Sequence, residues 1–449
     1  MPAFIGLPGE EALASTPPDT DRAVAPPLDA TERRRGRRLA ISSHPLGMTF
    51  GLVFTQHLPT LALVSLGASE TVVGLQSAFG AADLLRLPTL RAVSVFAKRT
   101  ILVGGQVAAL VAATPMLAFP LLLDEARAGS DRAVGIALLS LMTVVAWMRI
   151  SETVWFPLLR SYVEPDRIGR FFGTLRSGWH LALIVYYLGA SFWLARHPDG
   201  FGPLFAVAWG FGLLRILLIR RLPERSERTG ERIRAREAMA LIVHERPLRR
   251  YLMGASITAA VRGSVVPFVL VMMRREIGFA DGEVLYTTVA FFAGGLASLY
   301  LWGRTVDRVG PAPVFRLTSL AGGALIASLV LVEQASAGAL VGLVGFFFAF
   351  AVLNSGFGVA DTQVLFGLAP PEAPARTLVI ALTVSAVLGS LAPLVVGSAL
   401  DVFLAGRESE RLLVYHGFFA IAAVVQALAF LPLRGFRREG GGDRARDRA

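Results

Sequence analysis

The sequence predicts an all-α polytopic membrane protein, with twelve transmembrane helices in two pseudo-symmetric six-helix bundles, and three observations carry that expectation. The first is composition: of 449 residues, 54% are hydrophobic and 17% charged, and the mean hydropathy is +0.58, whereas a soluble domain carries about 25% charged residues. The second is the recurrence of apolar runs of about 20 residues, each long enough to cross a bilayer, along nearly the whole chain. The third is an internal repeat that divides the chain in two.

The runs place spans at 46–66, 72–90, 101–123, 134–159, 171–194, 201–219, 251–273, 284–302, 314–332, 337–359, 378–400 and 412–431. Residues 1–43, rich in Pro and Ala, hold no apolar stretch long enough for a signal-peptide core. A disordered N-terminal tail is expected there. It ends in Arg33, Arg34, Arg35, Arg37 and Arg38, which act as a topology determinant against the first span. An even number of spans puts both termini on one side, and with Arg176 and Arg316 counted with the loops they adjoin, the basic residues of the loops and tails divide 33 to 7 in favour of that side. This asymmetry makes it cytoplasmic, and the expected location is a bacterial inner membrane, multi-pass. The net charge of +11 is thus read by membrane insertion, and nucleic acid is excluded as a partner.

Residues 220–250 carry ten Arg against five Glu and separate two halves. The expected organisation is an N-terminal tail (1–43), a first bundle (44–222), a central loop (223–250), a second bundle (251–433) and a C-terminal tail (434–449). Pro165 and Arg170, after span 4, pair with Pro371 and Arg376, after span 10, both at an offset of 206. The same offset carries Gln56, mid-span 1, onto Arg262, mid-span 7. Parallel six-span repeats are a known transporter plan with the solute site between the halves near the midplane.

The chain at this point resembles the major facilitator superfamily over all its spans. The most specific match is Gly303-Arg304-Thr305-Val306-Asp307-Arg308-Val309-Gly310 after span 8, similar to that family's Gly-x-x-x-Asp-Arg-x-Gly loop. Its glycines suit a tight turn at helix ends, and its aspartate suits a facing helix N-terminus. Gly303, Asp307, Arg308 and Gly310 are therefore expected to form a gating element. The equivalent first-half loop, Leu90 to Arg99, keeps a basic end but lacks the glycines and the aspartate. The resemblance implies alternating access around a cavity lined by spans 1, 4, 7 and 10. Drug antiporters of the superfamily typically carry a Gly-Pro motif in span 5, and Phe171 to Leu194 contains no proline. Span 11 does hold Gly389, Pro393 and Gly397, read as a packing and bending element.

Ionisable residues inside spans cost about 2.5–3.5 kcal/mol each on insertion scales, so they mark a pathway or a partner. Arg149 and Glu152 share a face of span 4. Either Arg149 holds an anionic group while Glu152 releases it or carries a proton, or the two form a local ion pair that fixes the span. Asp83 and Arg86 repeat the spacing on span 2 and read as a structural or gating pair. Arg262 has no acid within a helical turn. It either clamps a carboxylate or phosphate of the solute or pairs with Asp83 or Glu152. Gln56 and His57 are expected to face it across the cavity, with Asn354 and His180 as further lining. Phe346, Phe347, Phe348 and Phe350 cover more than one face of span 10. Arg215, near the end of span 6, is expected to snorkel to the membrane surface without a function.

The chain has no cysteine, hence no disulfide or thiolate chemistry. It has no P-loop and no His-Glu-x-x-His. Enzyme activity and ATP-driven transport are set aside, and no cofactor or metal is expected. Arg86, Arg149, Arg215 and Arg262 face two in-span acids, Asp83 and Glu152, so an anionic or zwitterionic organic solute, moved by proton coupling or exchange by a monomeric permease, is the expected function. An exporter of drugs or amphipathic compounds, and a non-transporting assembly factor on the same fold, are the alternatives.

Overall fold

The computed structural model describes residues 28–93, 95–163, 168–225, 245–368 and 374–436. All regular structure among them is helical. Eleven of the expected spans are helices long and apolar enough to cross a membrane. Span 2 is the exception. It runs as a helix Glu70–Ser77, a 3-10 segment Ala78–Leu85 and a helix Arg86–Ala92. Its middle carries Gly80, Asp83 and Arg86, and Pro88 falls in the first turn of the last piece, where its missing N–H leaves no bond unmade. Such a long 3-10 segment is uncommon and marks a hinge or a strained stretch.

Span 1 begins earlier than its apolar run. Asp29 and Glu32 form a reciprocal cap: the Glu32 amide donates to Asp29 Oδ1 at 2.7 Å and the Asp29 amide to Glu32 Oε2 at 2.9 Å. A helix runs from there over Ala30–Val53, so the arginine run lies on a helix continuous with span 1. The same span breaks at residues 54–56 and resumes as His57–Ser65. Residues 1–27, 226–244 and 437–449, which include most of both tails and of the central loop, lie outside the described residues.

The repeat is visible in the backbone. Spans 5 and 11 are helices Ile168–Arg196 and Pro374–Leu404, whose first residues are 206 apart. Pro165, Pro371 and the side chains of Arg170 and Arg376 lie outside the described part. In the first bundle span 1 packs on spans 5 and 6, and span 3 on span 4; in the second, span 7 packs on span 11, span 8 on span 10 and span 9 on span 12. Between bundles, span 5 lies along span 8 and span 2 along span 11. Spans 7, 8 and 10 are the helices Arg246–Met272, Asp281–Val309 and Ala337–Leu368.

The bundles are bonded together on the side opposite the described chain ends. Glu70, at the start of span 2, accepts from Arg275 Nη1 and from the Tyr415 hydroxyl, each at 2.9 Å, and lies 3.7 Å from Arg411. Asp401, at the far end of span 11, accepts the amides of Glu70 and Thr71 at 3.0 and 2.8 Å. A carboxylate of one bundle thus caps the helix of the other. The Ser191 hydroxyl donates to the Gly282 carbonyl at 2.6 Å. At the side of the chain ends, Arg225 bonds Glu32 within the first bundle and Tyr251 bonds Asp361 within the second.

Candidate solute-binding site

Four half-buried side chains close a ring of alternating charge in the first bundle. Arg86 Nε lies 2.7 Å from Asp83 Oδ1 and its Nη2 3.5 Å from Glu152 Oε2. Arg149 completes the circuit, with Nε 3.2 Å from Asp83 Oδ1 and Nη1 3.3 Å from Glu152 Oε2. The two i,i+3 pairs read from the sequence are therefore one network joining spans 2 and 4. Its geometry follows from the hinge in span 2, which places Asp83 and Arg86 opposite the regular helix Arg132–Thr153.

A cavity of about 190 Å³ opens beside the ring, lined by Gly51, Thr55, Gln56, Gln76, Arg149 and Glu152 among others. It lies where span 1 is interrupted, an arrangement that transporters use to present half-helix ends to a solute. Gln76 bridges the interruption, donating to the Thr55 carbonyl at 3.3 Å and accepting from the Thr60 hydroxyl at 3.1 Å. The Gln56 side-chain oxygen is buried and has no partner among the described residues.

Arg215 does not snorkel. It is 2% exposed, and its guanidinium lies 5.4 Å from the Trp155 ring, on which His44 stacks at 5.8 Å. It occupies the space that a side chain at position 47 would fill, so only glycine there lets it cross span 1. Gly47 is itself part of the cavity wall. Glu152 is the carboxylate whose charge reaches Arg215, and the Arg215 Nε makes no hydrogen bond. Glu152 already serves Arg86 and Arg149, so this region holds three arginines against two carboxylates.

The groups around Arg262 belong to its own bundle, and its Nε makes no hydrogen bond. Its guanidinium lies 4.4 Å from the Phe357 ring, and the acid whose charge reaches it is Asp361, not Asp83 or Glu152. Asp361 also accepts from the Tyr251 hydroxyl at 2.8 Å. Asp361 lies beyond the apolar run of span 10, which ends at 359, on the part of the helix that continues to Leu368.

The remaining expected residues scatter. His57 is 4% exposed. Its Nδ1 shares a hydrogen bond of 2.9 Å with the Thr288 hydroxyl of span 8, and Phe291, Phe292 and Phe347 surround its ring. It packs between the bundles rather than facing Arg262. His180 bonds the Arg176 carbonyl at 2.8 Å and packs against Gly295 of span 8. Asn354 is half-buried on span 10, and Phe348 is exposed while Phe346, Phe347 and Phe350 are buried. In the motif after span 8, Gly303 lies inside the helix and only Gly310 makes the turn, with φ 79°. Asp307 and Arg308 are exposed.

The fold of the chain matches that of solved transporters. A POT family transporter in complex with 5-aminolevulinic acid superposes with a TM-score of 0.70 at 11% identity, covering 90% of this chain and 96% of that one. A D-xylose-proton symporter gives 0.68 at 18% identity, with 91% and 99% covered. The chain has the major facilitator fold. A bacterial homologue of the human lysosomal transporter Spinster, in an inward-facing and occupied conformation, gives 0.66 at 14% identity, with 92% and 100% covered. No protein-family profile matches the sequence, and no curated protein matches it.

Proposed function

We propose that this chain is a secondary active transporter that moves a small organic solute with an anionic group, anionic or zwitterionic overall, across the cytoplasmic membrane by alternating access. Both termini face the cytoplasm, as the distribution of basic residues requires. On that orientation the bonded side is external. The protein acts as a monomer, with protons or a second solute as the coupling partner.

The observation that carries this reading is the charge balance of the first bundle. Arg86, Arg149 and Arg215 surround Asp83 and Glu152 beside a polar cavity. A buried positive charge without a counter-ion is costly in a membrane, and a carboxylate or phosphate entering the cavity supplies one. Arg149 lines the cavity and offers the direct contact; Arg215 sets the sign of the field from behind Gly47.

A thermal-shift screen against monocarboxylates, dicarboxylates and phosphomonoesters tests it. A ligand at a hundredfold its dissociation constant stabilises the native state by about 2.7 kcal/mol. Stabilisation by neutral sugars or nucleosides with none by any anion would contradict the reading. Orientation is tested separately, because the cysteine-free chain accepts single probes: Ser336→Cys should label from outside intact cells and Phe96→Cys should not.

A further inference from the structure

A groove of about 780 Å³ lies between the start of span 9 and the end of span 12, away from the solute cavity and on the side of the described chain ends. Its walls include Val309, Pro313, Leu317, Leu320 and Phe430, its rim carries Arg316 and Arg434, and no acidic residue lines it. Leu317 and Leu320 are 53% and 43% exposed, so the trough opens sideways toward the acyl chains. A third cation stands beside it, since the Arg250 guanidinium comes within 4.0 Å of the position of a side chain at Gly435.

Three arginines at the opposite membrane surface are neutralised in place. Arg274 pairs with Asp281 at 2.6 Å, Arg275 with Glu70 at 2.9 Å and Arg411 with Glu276 at 3.0 Å. Arg316 and Arg434 have no hydrogen-bond or ion-pair partner among the described residues. The span 9 helix Pro311–Ala327 adds to the positive field, because its N-terminus has no side-chain cap.

We infer that this groove binds an anionic phospholipid of the adjoining leaflet. Its phosphodiester sits between Arg316 and Arg434, as a guanidinium fork suits a phosphate, and its acyl chains run along Leu317, Leu320 and Phe430. Gly310, the turn residue of the motif after span 8, forms part of the groove. The lipid therefore rests against the joint between spans 8 and 9, where leaflet charge can bias the gate.

Native mass spectrometry of the full chain, with phosphatidylglycerol and phosphatidylcholine of matched acyl chains, tests the inference. The wild type should retain phosphatidylglycerol preferentially. Arg316→Gln with Arg434→Gln should weaken that retention roughly thirtyfold, from about 1 kcal/mol per arginine near an anionic surface, while the melting temperature in phosphatidylcholine stays unchanged. Leu317→Glu with Leu320→Glu, which blocks the trough and leaves the arginines, should also abolish it. Equal retention of the two lipids, retention unchanged in the arginine variant, or displacement of the lipid by inorganic phosphate would overturn the inference. So would retention that appears only when residues 437–449 are removed, since the tail would then be the occupant.

Discussion

In the first bundle Arg86, Arg149 and Arg215 surround Asp83 and Glu152, and a cavity opens beside them. In the second, Arg262 is met by Asp361 and the Phe357 ring, and Asp361 is held by Tyr251. Backbones related by a 206-residue repeat thus carry different chemistry. Span 1 is broken where span 7 is continuous, and span 2 has a hinge where span 8 is one regular helix. The lesson is that charge balance, rather than the position of any single arginine, distinguishes the two halves, and the proposed site lies in the half with the excess.

The comparison is broken most severely by Glu152→Ala. It leaves three arginines against one carboxylate, and removing one partner of a buried ion network typically costs about 3–5 kcal/mol, read as a large fall in melting temperature. Next comes the latch on the side opposite the chain ends. Asp401→Asn keeps the shape but loses charge-assisted bonds to the Glu70 and Thr71 amides, worth about 1.5–3 kcal/mol each. It should therefore shift the population toward a state open on that side, checked by spin-label distances between the start of span 2 and the end of span 11. Third, Arg262→Ala should cost about 1–3 kcal/mol by stranding Asp361, and Asp361→Asn in the same chain should recover most of it. Failure of that recovery would separate Arg262 from Asp361. The smallest expected effect is at the motif: Asp307→Asn should slow transport and leave solute affinity within a few-fold, as suits an exposed residue at the membrane surface.

The spans, the repeat and the in-span charge pairs were legible because apolar run length and helical spacing are local properties of a sequence. What escaped was set by tertiary packing. Arg215 lies one turn from a helix end, a place from which arginines ordinarily reach water; its burial depends on Gly47, on another span. Asp361 lies beyond the apolar run of span 10 but not beyond its helix, and so the partner of Arg262 was sought in the wrong bundle. Gln76 is polar but uncharged, and its role appears only once span 1 is seen to break. Glu70, Arg275, Asp401, Arg411 and Tyr415 sit at span ends, where a census of in-span charge does not look. An acid at the start of span 2 and another at the end of span 11 were the available signal for that latch.

The most direct test compares Arg215→Gln with Arg262→Gln, using the carboxylate or phosphomonoester that most stabilises the wild type and measuring its dissociation constant on folded protein by calorimetry. With the anionic group held beside the excess charge of the first bundle, Arg215→Gln should weaken binding roughly 10- to 150-fold, the equivalent of about 1.5–3 kcal/mol, and Arg262→Gln should stay within a few-fold. The reverse order, with Arg262→Gln losing the anion and Arg215→Gln keeping it, would contradict the account and move the site to the second bundle.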